Sequence, residues 1–187
     1  SVAISADGEY IVAGAGDYVY LFDKDSSTPQ WSYDADGAVY SADISANGDY
    51  IITGTNDYIY LFNKGSSTPL WSWYYGERVD TVSISADGNY IAVGTDENIV
   101  YLYHKSSQGY LWKYEANSEI ESVAISANGE YIIVGSKDDK AYLFKRDCNS
   151  SNCDINSELW NYETGSDVYS VAISADGEYI VAGAGDY

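Results

Sequence analysis

The 187-residue chain contains a single histidine, His104, and this sets a first limit on its chemistry. General acid–base catalysis, a serine or cysteine triad and a zinc site each require several His, Cys or carboxylate side chains around one pocket. We interpret His104 as a loop residue. The sequence therefore predicts no catalytic residue, no cofactor and no enzymatic activity.

A second chemistry to consider is cation binding by recurring aspartates. If these aspartates lie on equivalent turns, their carboxylates form a ring on one face, and such oxygen ligands attract Ca²⁺. Aspartates are also favoured in turns because their side chains hydrogen-bond the local backbone. We favour turn chemistry and predict no metal site. The weak calcium candidates are Asp17, Asp57, Asp96 and Asp138.

The two cysteines, Cys148 and Cys153, enclose only four residues. A disulfide between them would rigidify the longest loop in an oxidising compartment, and this is our preferred interpretation. Free thiols remain an alternative, and a two-thiolate metal site lacks further His or Cys nearby. The loop also carries a glycosylation sequon, Asn149-Ser150-Ser151, which is usable only in a secreted chain. These features favour an extracellular or cell-surface location.

The charge balance is strongly acidic, with 9 Lys and Arg against 29 Asp and Glu and a net charge of −20. Nucleic-acid phosphates and anionic membranes would repel such a chain, so we expect neither as a partner. No apolar run approaches the roughly 20 residues that span a bilayer, and we expect no membrane insertion. The chain starts at Ser1 and contains no Met, which suggests a processed product, a fragment or an engineered chain.

The chain is organised by an internal repeat. The segment Ser1–Tyr18 returns letter for letter as Ser170–Tyr187, and looser copies start at residues 41, 81 and 122. Repeats of about 40 residues indicate solenoids or propellers. We predict a single domain over residues 1–187. Its repeats span 1–40, 41–80, 81–121 and 122–169, with a partial repeat at 170–187.

Each repeat contains four short strand patterns. The pairs Asp7-Gly8 and Asn47-Gly48, and three more like them, predict hairpins with type I′ turns. The third pattern, such as Tyr18–Phe22, is apolar on both faces, which indicates burial between two other sheets. Added residues at 96–98, 137–139 and 147–157 fall in loops. The sequence thus predicts an all-β β-propeller of four-stranded antiparallel blades with a duplicated terminal hairpin.

Aromatic residues recur in the fourth strand of each repeat. A tryptophan at this position suits a ligand cage or the contact between neighbouring blades, and we favour blade packing. The second repeat departs from the pattern at Trp73, Tyr74 and Tyr75, which we predict to be an exposed aromatic contact cluster. The recurring residues are Trp31, Trp71, Trp112 and Trp160.

Two family resemblances cover essentially the whole chain. The phrase VAISADGEYIVAGAGD followed by VYLFD resembles the strand-turn-strand core of WD-repeat propellers, although the Gly-His pair and the Trp-Asp ending of that family are missing. The segments GDYVYLFDKDSSTPQWSY and NDYIYLFNKGSSTPLWSW resemble the repeats of pyrroloquinoline-quinone-type propellers, which include non-enzymatic assembly factors. Enzymes of that group imply a quinone, calcium and adjacent cysteines. Cys148 and Cys153 are not adjacent, so the enzymatic roles do not carry over.

These observations favour a non-catalytic binding or scaffolding propeller. Because the terminal hairpin exists twice, we expect self-association through these strands and a homo-oligomer, or another protein partner. The alternatives are a fragment of a quinone- or metal-dependent propeller enzyme, an excerpt from a longer array, and an engineered chain for studying repeat closure.

Overall fold

A computed structural model describes residues 1–107, 109–146, 148–149, 152–153 and 158–185. All of its regular elements are β-strands. They are β1 (Val2–Ile4), β2 (Tyr10–Ala15), β3 (Tyr18–Asp23), β4 (Trp31–Asp34), β5 (Val39–Ile44), β6 (Tyr50–Thr55), β7 (Tyr58–Asn63), β8 (Trp71–Tyr74), β9 (Val79–Ile84), β10 (Tyr90–Thr95), β11 (Ile99–His104), β12 (Tyr110–Glu115), β13 (Ile120–Ile125), β14 (Tyr131–Ser136), β15 (Lys140–Lys145), β16 (Cys148–Asn149), β17 (Asn152–Cys153), β18 (Glu158–Glu163), β19 (Val168–Ile173) and β20 (Ile180–Ala184).

The strands form four antiparallel sheets of four strands each, which we call blades 1 to 4. Blade 1 has the order β1-β2-β3-β4, blade 2 β5-β6-β7-β8, blade 3 β9-β10-β11-β12 and blade 4 β13-β14-β15-β18. The strands β19 and β20 form a separate hairpin, which we call the C-terminal hairpin, and β16 pairs with β17. The predicted all-β blades and duplicated hairpin are confirmed. In the described ranges the sheets do not close into a ring, and no helix there is long and apolar enough to cross a membrane.

The turn inside each hairpin differs from the prediction. The Gly8 N–H donates to the Ser5 carbonyl at 2.9 Å, so the turn is centred on Ala6 and Asp7. Only Gly8 has a positive φ, 73°, whereas a type I′ turn needs positive φ at both central residues. The type I′ prediction is therefore wrong. Asp7 instead accepts hydrogen bonds from the Ser5 hydroxyl and the Glu9 N–H, which holds the turn from its side chain.

The third strand of each blade forms the core, as its apolar run predicts. In β7, β11 and β15 the four central residues are buried. In β3 only Val19 and Leu21 are buried, while Tyr20 and Phe22 are half-buried. The difference arises because blade 1 packs on blade 2 through one face only, and its other face has no neighbour among the described residues.

The same two hydrogen bonds recur at each junction between neighbouring repeats in the described ranges. The backbone N–H of Ala6 donates to the Ala46 carbonyl at 2.9 Å, and the bond recurs from Ala46 to Ala86, from Ala86 to Ala127 and from Ala127 to Ala175. The Ser1 hydroxyl accepts a hydrogen bond from the Ala42 N–H at 3.1 Å. The equivalent hydroxyls of Ser41, Thr81 and Ser122 each accept one from a backbone N–H of the next repeat. One interface geometry is thus repeated along the chain.

Candidate binding groove and outer faces

The recurring tryptophans lie between blades, which confirms the packing interpretation for three of them. The ring of Trp31 lies 5.3 Å from Phe62 of the next blade, and Trp112 lies 5.3 Å from Phe144. The Trp31 indole N–H also donates to the Lys64 carbonyl at 2.8 Å. Trp160 occupies the same position in blade 4 but remains 40% exposed, because the described chain contains no following third strand to cover it.

A groove of about 380 Å³ opens where blade 2 meets blade 3. We call it the aromatic groove. Blade 2 contributes the end of β8 and the turn after it, and blade 3 contributes β11 and the first residue of β12. The lining residues used below are Trp73, Tyr75, Glu77, Tyr101, Tyr103 and Tyr110.

The aromatic groove is formed by departures from the repeat. Tyr75 takes the place of an alanine, Ala35 in blade 1 and Ala116 in blade 3. Tyr103 takes the place of a phenylalanine, as seen at Phe62. The two new hydroxyls hydrogen-bond each other, and burial raises the pKa of both tyrosines. The substituted pair therefore replaces a purely apolar contact with a polar one inside the interface.

Two further departures complete the rim. Tyr110 replaces a proline, Pro29 or Pro69, and Glu77 replaces Gly37 or Ser118. Burial is the main factor that raises the pKa of the Glu77 carboxyl, although a hydrogen bond from Thr95 opposes it. Its Oε1 atom is enclosed and has no hydrogen-bond partner in the described part of the chain.

The rings of the groove contact one another closely. The Tyr75 and Tyr101 centroids are 4.9 Å apart, and those of Tyr101 and Tyr110 are 5.5 Å apart. Burial, followed by the charge of Glu77, raises the pKa of Tyr101 to about 12. The groove is therefore a neutral aromatic surface beside a carboxyl group that has one enclosed oxygen.

All three residues of the predicted contact cluster line this groove. Tyr74 is 66% exposed, whereas Trp73 and Tyr75 pack against Tyr103 and Tyr101 of blade 3. Its role as a contact surface stays a prediction. Sequence reasoning missed Glu77 and Tyr110, although a position-by-position comparison of the repeats would have marked both as unusual.

The four turn aspartates do not form a metal cluster. In the described ranges no group of three or more His, Cys, Asp and Glu could hold a metal ion. Asp138 accepts a hydrogen bond from the Tyr142 hydroxyl, and Asp96 accepts one from the Arg78 N–H at 3.0 Å. These two carboxylates stabilise local structure within blades 4 and 3.

The cysteine loop is described only in part. The backbones of Cys148 and Cys153 lie opposite each other in the β16–β17 ladder. Opposed residues of an antiparallel pair have Cα atoms about 4.5 to 5.5 Å apart, which a disulfide can span. Their side chains, and the sequon residues Ser150 and Ser151, lie outside the described residues. The disulfide stays a prediction that thiol alkylation without reductant would reject by labelling both cysteines.

Comparison with known protein families agrees with the repeat architecture. The model of the WD domain, G-beta repeat, matches residues 27–63, 109–145 and 157–187, which together make up more than half of the chain. The chain belongs to the WD40 repeat family. No curated protein matches it. The resemblance to quinone-type propellers stays a hypothesis.

Proposed function

We propose that this chain is a non-catalytic scaffold for protein–protein interactions that also associates with further copies of itself through its duplicated terminal strands. WD40 repeats generally mediate protein–protein interactions, which supports the first part. One observation supports the self-association: the identical segments at residues 1–18 and 170–187 bury opposite faces.

In the first copy of the segment, the face toward blade 2 is covered. Val12 is fully buried there, while Ile4 on the other face is 60% exposed. In the second copy the pattern is reversed. Val171 is buried against blade 4, whereas Val181, the counterpart of Val12, is 67% exposed.

A single hairpin placed between two chains would bury both faces. The C-terminal hairpin already covers blade 4 of its own chain. If it also took the place of β1 and β2 in a second copy, Val181 would reach the buried site of Val12. We call this arrangement the exchanged assembly. The displaced β1 and β2 and the incoming C-terminal hairpin have the same side chains, so each contact that is lost is replaced by an equal one.

The net gain lies on the outer face of blade 4. Trp160 and Tyr162 are 40% and 66% exposed there. In the exchanged assembly, Phe22 and Tyr20 of the second copy would cover them, as Phe62 and Tyr60 cover the equivalent residues of blade 1. Burying two aromatic side chains contributes about 1.5 to 3 kcal/mol each when complete.

The exchange also pairs an open strand edge. The strand β20 has β19 on one side and no partner on the other among the described strands. In blade 1 the equivalent strand pairs with β3, with Val12 opposite Leu21. The same register would place Val181 opposite Leu21 of the second copy. Exposed edges promote strand pairing with other chains, so the open edge of β20 favours this pairing.

We extend the proposal to an extracellular or cell-surface setting. The opposed backbones of Cys148 and Cys153 support it, since a disulfide persists in oxidising compartments.

Light scattering coupled to size exclusion tests the association. We expect the intact chain to show a concentration-dependent mass above the 20.5 kDa of one copy. Trp160→Ser should shift the mass to that of one copy. A matched control, Leu70→Ser, changes an exposed apolar residue directly before β8 of blade 2 and should leave the mass unchanged.

Removal of residues 170–187 provides a second test and should also yield single copies. The proposal is wrong if the intact chain has the mass of one copy at every concentration. It is equally wrong if both Trp160→Ser and the shortened chain keep the mass of the intact protein.

A further inference from the structure

The aromatic groove concentrates the unusual residues of this repeat protein in one place. Tyr75, Glu77, Tyr103 and Tyr110 each replace a smaller or less polar residue found at the equivalent position of another repeat. They come from two blades and meet only because blade 2 packs on blade 3. Blade packing alone does not require them, since the junction between blades 1 and 2 forms without them.

The carboxyl group of Glu77 is only partly hydrogen-bonded, with Thr95 as its partner. One oxygen is enclosed without a hydrogen bond from any described residue. An enclosed polar atom without a partner is destabilising, because it has lost its hydrogen bonds to water. A cationic donor that reaches the Glu77 carboxyl group would form a charge-assisted hydrogen bond, which is stronger than one from a neutral donor.

The rings beside Glu77 favour the same kind of ligand. A cation over the face of Trp or Tyr is attracted by the ring electrons. This protein already uses such contacts between blades, with Lys105 Nζ 4.1 Å from the Tyr50 ring centroid and the Arg146 guanidinium 3.8 Å from that of Tyr90. The net charge of −20 also attracts cations and repels anions.

We propose that the aromatic groove binds the ammonium group of a lysine side chain from a partner protein, with Glu77 as its hydrogen-bond acceptor and Trp73, Tyr101 and Tyr110 as its aromatic walls. The groove is open toward solvent at Tyr74 and Tyr110, so a side chain carried by another protein can enter it. The proposed scaffold function supports only one part of this proposal, namely that the ammonium group belongs to a protein.

A peptide titration tests this assignment on the intact chain. The probe is the tripeptide Gly-Lys-Gly, and the readout is tryptophan fluorescence, to which Trp73 contributes. Saturable quenching is expected with the lysine peptide and not with its norleucine counterpart. Both peptides carry an N-terminal acetyl and a C-terminal amide, so that the lysine ammonium is the only cationic group. Methylammonium alone should compete with the lysine peptide.

Two variants and one control assign the response to the groove. Glu77→Gln should weaken binding about tenfold or more, because it removes the charge from the acceptor. Tyr110→Ala should also weaken binding, and truncating this half-exposed side chain should leave the fold intact. Glu115→Gln makes the same charge change at an exposed site at the end of β12 and should bind like the unmodified chain.

Three outcomes would overturn the proposal. The first is equal binding of the norleucine peptide, which would indicate an apolar groove. The second is that Glu77→Gln binds the lysine peptide as well as the unmodified chain does. The third is the absence of a saturable response from the folded chain. None of these measurements depends on self-association. If the protein exists only as single copies and still binds the lysine peptide, the assembly proposal is wrong and the lysine-binding proposal is supported.

Discussion

The two copies of the terminal hairpin have the same sequence but different surroundings. Both close the same turn, with Gly8 donating to Ser5 at 2.9 Å and Gly177 donating to Ser174 at 2.9 Å. Yet Val12 belongs to the core and Val181 lies on the surface. The comparison shows that the local sequence determines the hairpin, while the neighbouring blade determines which of its residues become core.

The most drastic way to probe this difference is to place a charge at both valines. Val12→Asp buries a carboxylate among apolar side chains, and we expect it to lower the free energy of unfolding by about 4 kcal/mol. Val181→Asp changes a solvent-exposed residue and should change that free energy by less than about 0.5 kcal/mol. Denaturant titration at low protein concentration measures both values. Equal losses would mean that Val181 has the same environment as Val12.

A milder change tests how closely the next blade approaches. A Cβ atom added at Gly14 would lie 2.4 Å from the Val39 Cγ1 atom, while one added at Gly183 would have no atom nearer than 3.8 Å. Gly14→Ala should therefore lower the free energy of unfolding by about 1 to 3 kcal/mol. Gly183→Ala should leave it unchanged and should weaken self-association, because the added methyl group would meet Val39 of the second copy. Stability and particle mass of both variants check this, and normal association of Gly183→Ala would contradict it.

The smallest expected effect concerns the lysine that follows the third strand. Lys105 lies over Tyr50 within the chain, so Lys105→Gln should lower the free energy of unfolding by about 0.5 to 1 kcal/mol. Lys24 is the equivalent residue of blade 1, and in the exchanged assembly it would lie over Tyr131 of the neighbouring copy. Lys24→Gln should thus reduce association without changing the stability of a single copy. Thermal unfolding and light scattering measure the two effects, and a stability loss in Lys24→Gln would argue against this assignment.

Much of the fold could be predicted from the repeat. The apolar third strands and the regular Asp-Gly and Asn-Gly pairs indicated the blades, and the fourth-strand tryptophans indicated the packing between them. The turn type could not be predicted from the Asp-Gly pair alone, because Asp7 hydrogen-bonds Ser5 and Glu9 and keeps a negative φ.

Less of the candidate sites could be predicted. Trp73 and Tyr75 stood out because they break the pattern, but Glu77 joins them only through the turn after β8, and Tyr110 only through the packing of blade 3 on blade 2. The contrast between Val12 and Val181 could not be predicted at all, since the two segments have identical residues.

The chain of backbone hydrogen bonds through Ala6, Ala46, Ala86, Ala127 and Ala175 has a consequence for how such a protein changes during evolution. Each bond joins one repeat to the next in the same way, so a repeat inserted between two others makes contacts that already exist elsewhere in the molecule. The segments that begin at Ser1 and Ser170 are identical, so each presents the same residues to a preceding repeat. The same reasoning therefore applies to a whole set of repeats. Duplication of residues 1–169 as a unit would therefore reuse the backbone junction that the C-terminal hairpin already makes with blade 4, and the array can lengthen without a change in that junction.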